Sequence, residues 1–426
     1  MIFVPFSRNP PSNLSAPFEP RITFVQEQAP RLVFLVEDTA VMNLQKRWEF
    51  VRKALRHLVV YDVPDGTYVS LVVFNSEAKT NARMFRMDSD SDVRQRLGSS
   101  LPRNPSMVQE SHKCVLCGLQ EAIRTLDGGR GGPAGASIIL ITNREGVATQ
   151  HDLTQMIQLA TENQVQVNVI LYPVSEQRGQ LSQPSHPLDA LVDATRGSSF
   201  TVMDEGVGND SKLSMMVSLI NALQSVVHQG ARSDYRKPVK IHSRMYPGGI
   251  TSIAQGTFVI DESLSRDARF SIYYNDLSHV GNTVELVSPR GVAMTDVSML
   301  EEDGDANVIF VNIKSAERGQ WSYRVENKAD SHQGLHIQVQ ANEASSRNMA
   351  LRVWTSSSSN TSSSPSVVYA EVREDDIPVM NARVTATLQR LGNSANGSTY
   401  APIVFSLFDN GVGGVYCHTL KFIRIM

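Results

Sequence analysis

Five short apolar runs recur through the first half of the chain, at residues 32–36, 69–74, 137–142, 167–171 and 199–203. Each is of strand length, and the first is apolar at every position, so it reads as a strand buried on both faces. Between the runs, and after the last of them, lie segments with apolar residues at helical spacing, at 44–60, 113–126, 152–162, 188–194 and 212–227. In the first of these, Trp48, Val51, Leu55 and Leu58 mark one face. Such alternation predicts a parallel sheet wrapped by helices on both sides. The first run ends at Glu37-Asp38, so a carboxylate is delivered to the C-terminal edge of the sheet, where open α/β sheets build ligand crevices.

With 426 residues the chain exceeds what one hydrophobic core organises, so two or three domains are expected. The formal charge of −3 and the scattered basic residues offer no stripe for nucleic acid. No apolar run approaches the ~20 residues of a membrane helix. Met1-Ile2-Phe3-Val4-Pro5-Phe6 lacks the basic and apolar regions of a signal peptide. That start reads either as cytoplasmic or as an internal point of a longer precursor. Sequons at Asn13, Asn209, Asn360 and Asn396 are near the number expected by chance and only permit secretion. Cys114-Val115-Leu116-Cys117 has no second Cys or His pair at finger spacing, which argues against tetrahedral zinc. It reads as small residues opening a buried helix, with a disulfide as the variant.

Residues 1–30 are Pro-rich and irregular, and the α/β pattern occupies 31–230. Gly128-Gly129-Arg130-Gly131-Gly132-Pro133 lacks a following Lys-Ser/Thr and reads as a flexible surface connection, not a phosphate loop. From about residue 239 the period becomes two. The segments 257–260, 269–274, 284–287, 308–313, 321–325 and 335–339 alternate, with turns at Asp303-Gly304-Asp305 and Arg318-Gly319. They predict a β-sandwich over 236–345, with Trp321 in its core because it alternates with Tyr323 and Val325. A Ser-rich stretch at 354–366 reads as a linker. Residues 367–426 then begin a second, immunoglobulin- or fibronectin-like β-domain, which reads as truncated.

Arg31-Leu32-Val33-Phe34-Leu35-Val36-Glu37-Asp38, Val72-Val73-Phe74-Asn75-Ser76, Cys117-Gly118-Leu119, Ile139-Leu140-Ile141-Thr142 and Ala194-Thr195-Arg196-Gly197-Ser198 together resemble a von Willebrand factor type A domain. The match is best with the calcium-activated chloride channel regulator family. Arg318-Gly319-Gln320-Trp321-Ser322-Tyr323, Val368-Tyr369-Ala370 and Leu407-Phe408-Asp409-Asn410-Gly411 extend it in order along the chain. The resemblance implies a doubly wound, Rossmann-like type A domain followed by β-domains. It also implies a metal-ion-dependent adhesion site, in which Asp-x-Ser-x-Ser, a Thr and a further Asp present oxygens to Mg²⁺ or Ca²⁺.

Aligned on Asp38, the first element reads Asp38-Thr39-Ala40-Val41-Met42, without either serine. Anchoring on Gly118 puts Lys113 at the Thr position, or His112 if the loop slips by one residue. The last Asp becomes Asn143, followed by Arg144 and Glu145. The candidate binding residues are therefore Asp38, Lys113, Asn143 and Arg144. No cofactor is expected: weak Mg²⁺ or Ca²⁺ binding is compatible with this set, tight binding is not. One reading has Lys113 replacing the cation and pairing with Asp38. The other has Lys113 snorkelling to solvent while Asp38 caps the next helix. Arg144 and Glu145 lie at the carboxyl edge of the sheet, either against a partner or as a solvated pair.

The resemblance implies an extracellular or surface-associated, non-enzymatic interaction protein that modulates a calcium-activated chloride channel through its type A domain. The alternatives are a generic adhesion or matrix-binding type A module, and a non-functional fragment of a self-cleaving zinc metalloprotease precursor. No His is followed by Glu, so the zinc-protease helix motif His-Glu-x-x-His is absent from this chain.

Overall fold

A computed structural model describes residues 29–420 except 90, 110, 112, 130, 144–148, 176–185, 205–208, 232–234, 236, 276–283, 294–299, 329–331, 343–348, 356–365, 375–376, 389–402 and 412. Contacts divide the chain into two compact units. One runs to Gly206 and includes Ser218–Tyr235; the other comprises Val207–Val217 and the chain from Arg236 onward.

The first unit is built on a six-stranded sheet. Its strands are β1 (Arg31–Glu37), β2 (Tyr68–Phe74), β3 (Ala78–Arg86), β4 (Ser137–Thr142), β5 (Gln166–Ser175) and β6 (Ser199–Asp204), in the order β3-β2-β1-β4-β5-β6. All neighbours pair in parallel except β3, which joins β2 antiparallel. Its helices are α1 (Arg47–His57), α2 (Ser91–Gly98), α3 (Val115–Asp127), α4 (Gln150–Glu162) and α5 (Asp189–Ala194), together with the part of α6 (Asn209–Gln229) from Ser218 onward.

Every residue of β1 is buried, as a two-sided apolar strand must be. Val33, Leu35, Val72, Phe74, Ile138, Leu140, Val167 and Val169 share a core with Leu119, Ile123 and Leu126 of α3 and Leu153 and Met156 of α4. Phe34, Val36, Ile139, Ile141 and Ile170 have the opposite parity and are buried on the other face. There Tyr172 donates from its hydroxyl to Arg47 O at 3.1 Å, tying β5 to the start of α1. The strand order reverses direction at β1/β4, so the crevice lies where their carboxyl ends diverge.

The single helix expected over 44–60 is three elements. A 3-10 turn (Ala40–Lys46) ends at Lys46, whose φ of 62° breaks the helical path. α1 follows, and a π turn (Leu58–Asp62) widens its end. The loosened carbonyls are met by Arg94, which donates to Val59 O at 2.8 Å and Val63 O at 2.9 Å and pairs with Asp65 at 2.6 Å. The Gly-rich connection expected to be flexible is held from below. The Arg31 guanidinium donates to Gly131 O and Gly132 O, and to Ala134 O at 2.6 Å.

In the second unit, β7 (Val239–Ile250), β8 (Ile253–Ile260), β9 (Arg266–Tyr274), β10 (Val284–Val287), β11 (Leu300–Asp303), β12 (Val308–Ser315), β13 (Gly319–Glu326) and β14 (Gln333–Asn342) form two antiparallel sheets. Their orders are β10-β13-β8 and β11-β12-β9-β14-β7. Trp321, Tyr323 and Val325 share the core between them with Phe258 and Phe270, as alternation requires. Trp321 Nε1 donates to Glu317 O at 2.8 Å, so the one polar atom of this buried indole is satisfied.

A further sheet contains β15 (Met349–Thr355), β16 (Ser366–Glu374), β17 (Ile377–Pro378), β18 (Val384–Leu388), β19 (Ile403–Asp409) and β20 (Val415–Leu420). The Ser-rich linker expected over 354–366 is corrected at both ends. Thr355 and Ser366 lie in strands, and β15 pairs antiparallel with β16. The stretch therefore connects two strands of one sheet; its residues 356–365 lie outside the described set.

Candidate site at the carboxyl edge of the first sheet

Three segments converge at the β1/β4 crevice: the end of β1, the end of β4, and the loop leading into α3. The loop is set by Cys114, whose backbone N donates to Asn75 O at 2.6 Å just beyond β2. Cys114 and Cys117 form a disulfide across the first turn of α3, the variant of the two readings of this motif. Gly118 lets α3 lie close on the sheet, since a Cβ there would stand 3.0 Å from Leu35 Cδ1 and from Phe74 Cγ.

This loop sends Lys113 inward. Its ammonium donates to Asn143 Oδ1 at 2.7 Å and lies 3.2 Å from Glu37 Oε2, with both charged side chains fully enclosed. The Thr142 hydroxyl is 3.5 Å from the same ammonium and donates to Glu37 Oε2 at 2.7 Å. Asn143 adds two more bonds to the carboxylate, from its backbone N to Oε2 and from Nδ2 to Oε1, both at 2.9 Å. Thr39 donates from its hydroxyl to Glu37 Oε1 at 2.6 Å. A buried carboxylate is tolerable when it is paired and its lone pairs are occupied, and Glu37 meets both conditions.

Lys113 thus stands in the position expected for a cation, but its partner is Glu37 rather than Asp38. Asp38 is turned away from it: Oδ1 accepts from Ser106 N at 2.5 Å, and Asp38 N donates to Phe74 O at 2.7 Å. Nor does Asp38 cap a helix; it pins the loop at residue 106 onto the tip of β1. Burial raises its carboxyl above the usual range, and the Ser106 bond partly offsets this. The alternative in which Lys113 reaches solvent is excluded by its enclosed side chain. The correction has a simple cause, a slip of one residue along the first loop. The family spacing of carboxylate, x, hydroxyl, x, hydroxyl fits Glu37-x-Thr39-x-Val41, in which the carboxylate and the first hydroxyl are kept by type and the second is lost.

Of the four residues expected at the site, Lys113 and Asn143 meet, Asp38 lies beside them with a separate role, and Arg144, with its neighbour Glu145, is outside the described residues. Glu37, Thr39 and Thr142 were missed as site residues, although the Glu-x-Thr spacing marked the first two. The donor set does not fit a divalent ion, because an ammonium already occupies the point on which its oxygens converge.

The fold and this crevice define a protein with a type A domain whose cation position is filled by a lysine. The von Willebrand factor type A domain family matches residues 32–207, consistent with the strand order and the crevice. Over most of its length the chain is similar to calcium-activated chloride channel regulators. It is 25% identical to regulator 4 of Homo sapiens over 90% of this chain and 38% of that protein. It is 20% identical to regulator 1 of Bos taurus over 95% of this chain and 41% of that protein. The chain therefore spans about two fifths of the length of the curated relatives it matches. Among solved structures, von Willebrand factor type A from Catenulispora acidiphila aligns with a TM-score of 0.37 at 12% identity, over 81% of this chain and 63% of that one.

Proposed function

We propose that this chain is a non-enzymatic, extracellular interaction protein of the chloride channel regulator type, whose type A domain contacts its protein partner without a divalent cation. The observation that carries this reading is the enclosed Lys113–Glu37–Asn143 cluster. A metal-dependent adhesion site works by leaving one coordination position for a partner's carboxylate. Here the cation is covalently part of the chain and its bonds are directed inward. Contact then falls to the surface around the crevice, with Asp38 holding the loop at residue 106 and Arg144 proposed at the rim.

Similarity to proteins named as chloride channel regulators supports the partner class, a calcium-activated chloride channel. The Cys114–Cys117 disulfide supports an oxidising compartment. Among the described residues no helix is long and apolar enough to cross a membrane.

The test is surface binding of the purified chain to cells expressing a calcium-activated chloride channel, with the current recorded in parallel. Binding above channel-free cells and a changed current, both unaltered by an extracellular chelator, are expected. Loss of binding on chelation overturns the cation-free contact. Equal binding to channel-free cells or to matrix-coated wells overturns the channel as partner.

A further inference from the structure

On the opposite flank of the first sheet from β6, an open cavity of about 820 Å³ lies between the edge strand β3 and helix α3. Lys79, Arg83 and Arg124 line it, and Glu121 is the one carboxylate among its lining residues. That carboxylate is already committed. Arg124 donates to both of its oxygens, at 2.8 and 2.7 Å, and the Thr80 hydroxyl donates to Oε1 at 2.6 Å. These bonds hold the Glu121 carboxyl below its usual range, so it stays charged and paired. Lys79 and Arg83 are exposed, and among the described residues neither has an ion-pair partner. Among the described residues, the cavity therefore presents two uncommitted cations beside a strand that pairs on one side only.

A free strand edge offers a row of backbone donors and acceptors for an added strand. The basic charges decide which strand. A second copy would bring Lys79 and Arg83 against the same charges and is repelled, whereas an acidic segment is attracted.

We propose that the β3–α3 groove is a docking site for an extended acidic segment of a partner protein. The segment would add to the edge of β3 and place carboxylates against Lys79 and Arg83. This site is separate from the β1/β4 crevice and stands or falls independently of the lysine-filled cation position.

The test uses the full chain and a fluorescent ten-residue peptide of alternating Glu and Val, read by anisotropy. A Lys-Val peptide and a Glu-Val peptide N-methylated at alternate residues serve as comparisons. The Glu-Val peptide is expected to bind, the Lys-Val peptide not to bind, and N-methylation to weaken binding at least tenfold. Lys79→Glu/Arg83→Glu is expected to weaken binding at least tenfold, while Lys314→Glu/Lys328→Glu, which changes the net charge equally, stays within twofold. Equal loss in both double variants would show attraction to overall charge and overturn the site. Full binding of the N-methylated peptide would overturn strand addition, and no binding of the Glu-Val peptide would overturn the proposal.

Discussion

The Lys113 ammonium and the Glu37 carboxylate lie 3.2 Å apart with neither side chain reaching solvent. Such a pair contributes little net stability when intact, because desolvation offsets attraction, but breaking it strands a buried charge. Lys113→Met is therefore expected to cost about 3–5 kcal/mol. Adding Glu37→Gln removes the stranded charge and should recover more than half of that loss. Hydrogen exchange of the β1 and β4 amides reads this sheet separately from the rest of the chain. A neutral Lys113→Met, or a double variant no better than the single one, would show that the pair is not coupled.

If Lys113 acts as a tethered cation, removing it while restoring oxygen ligands should let a free ion take its place. Lys113→Thr/Asn143→Asp supplies a hydroxyl and a second carboxylate beside Glu37, Thr39 and Thr142. This variant is expected to be destabilised in chelator and rescued by Mg²⁺ or Mn²⁺. The rescue reaches about 2.7 kcal/mol at a concentration one hundred times the dissociation constant. The unaltered protein should show no midpoint shift with the same ions. A shift there would mean that Lys113 leaves the crevice to admit metal.

Much of the first unit is legible in the sequence because two-sided strands and amphipathic helices leave strong, distinct periods. The edge strand β3 was missed for a physical reason. Of Ala78 to Arg86 only Ala82 is buried, so no run of apolar residues announces the strand. At the site, the residue types were readable but their register was not. Glu37 and Asp38 are adjacent carboxylates at a strand end, and only the pleat decides which one enters the crevice. A long lysine reads as a solvent-seeking side chain until its acceptors are placed. Cys114 and Cys117 fitted either a packing role or a disulfide, because spacing alone does not choose between them.

The Cys114–Cys117 bond closes a ring too small to remove much chain entropy, about 2 kcal/mol by the loop-closure relation. It also shapes the turn that delivers Lys113, since Cys114 Sγ accepts from Cys117 N at 3.1 Å. Cys114→Ser/Cys117→Ser is expected to lower stability by about that 2 kcal/mol and to raise exchange at the start of α3. Thiol labelling of the unfolded chain should find Cys417 alone before reduction and all three cysteines after it. Three reactive thiols without reductant would show that the bond does not form.

His336 is buried on β14, and burial, helped by the nearby charges of Lys240 and His242, pushes its pKa down to about 4. Its imidazole is 3.4 Å from the Ser243 hydroxyl and packs beside the Tyr273 ring. A base whose folded pKa is depressed stays neutral in the native protein while the unfolded chain takes up a proton near pH 6.5. The stability it contributes is thus full above that pH, falls as the pH drops, and stops falling once the folded pKa is passed. The loss over this window is about 3 kcal/mol, at about 1.4 kcal/mol per unit. His242 is shifted in the same direction by burial and by Arg244, so it steepens the same decline. Unfolding of the sandwich is therefore expected to become easier from pH 6.5 to 4, and His336→Gln should flatten the profile there. An unchanged slope in that variant would assign the acid sensitivity to other groups.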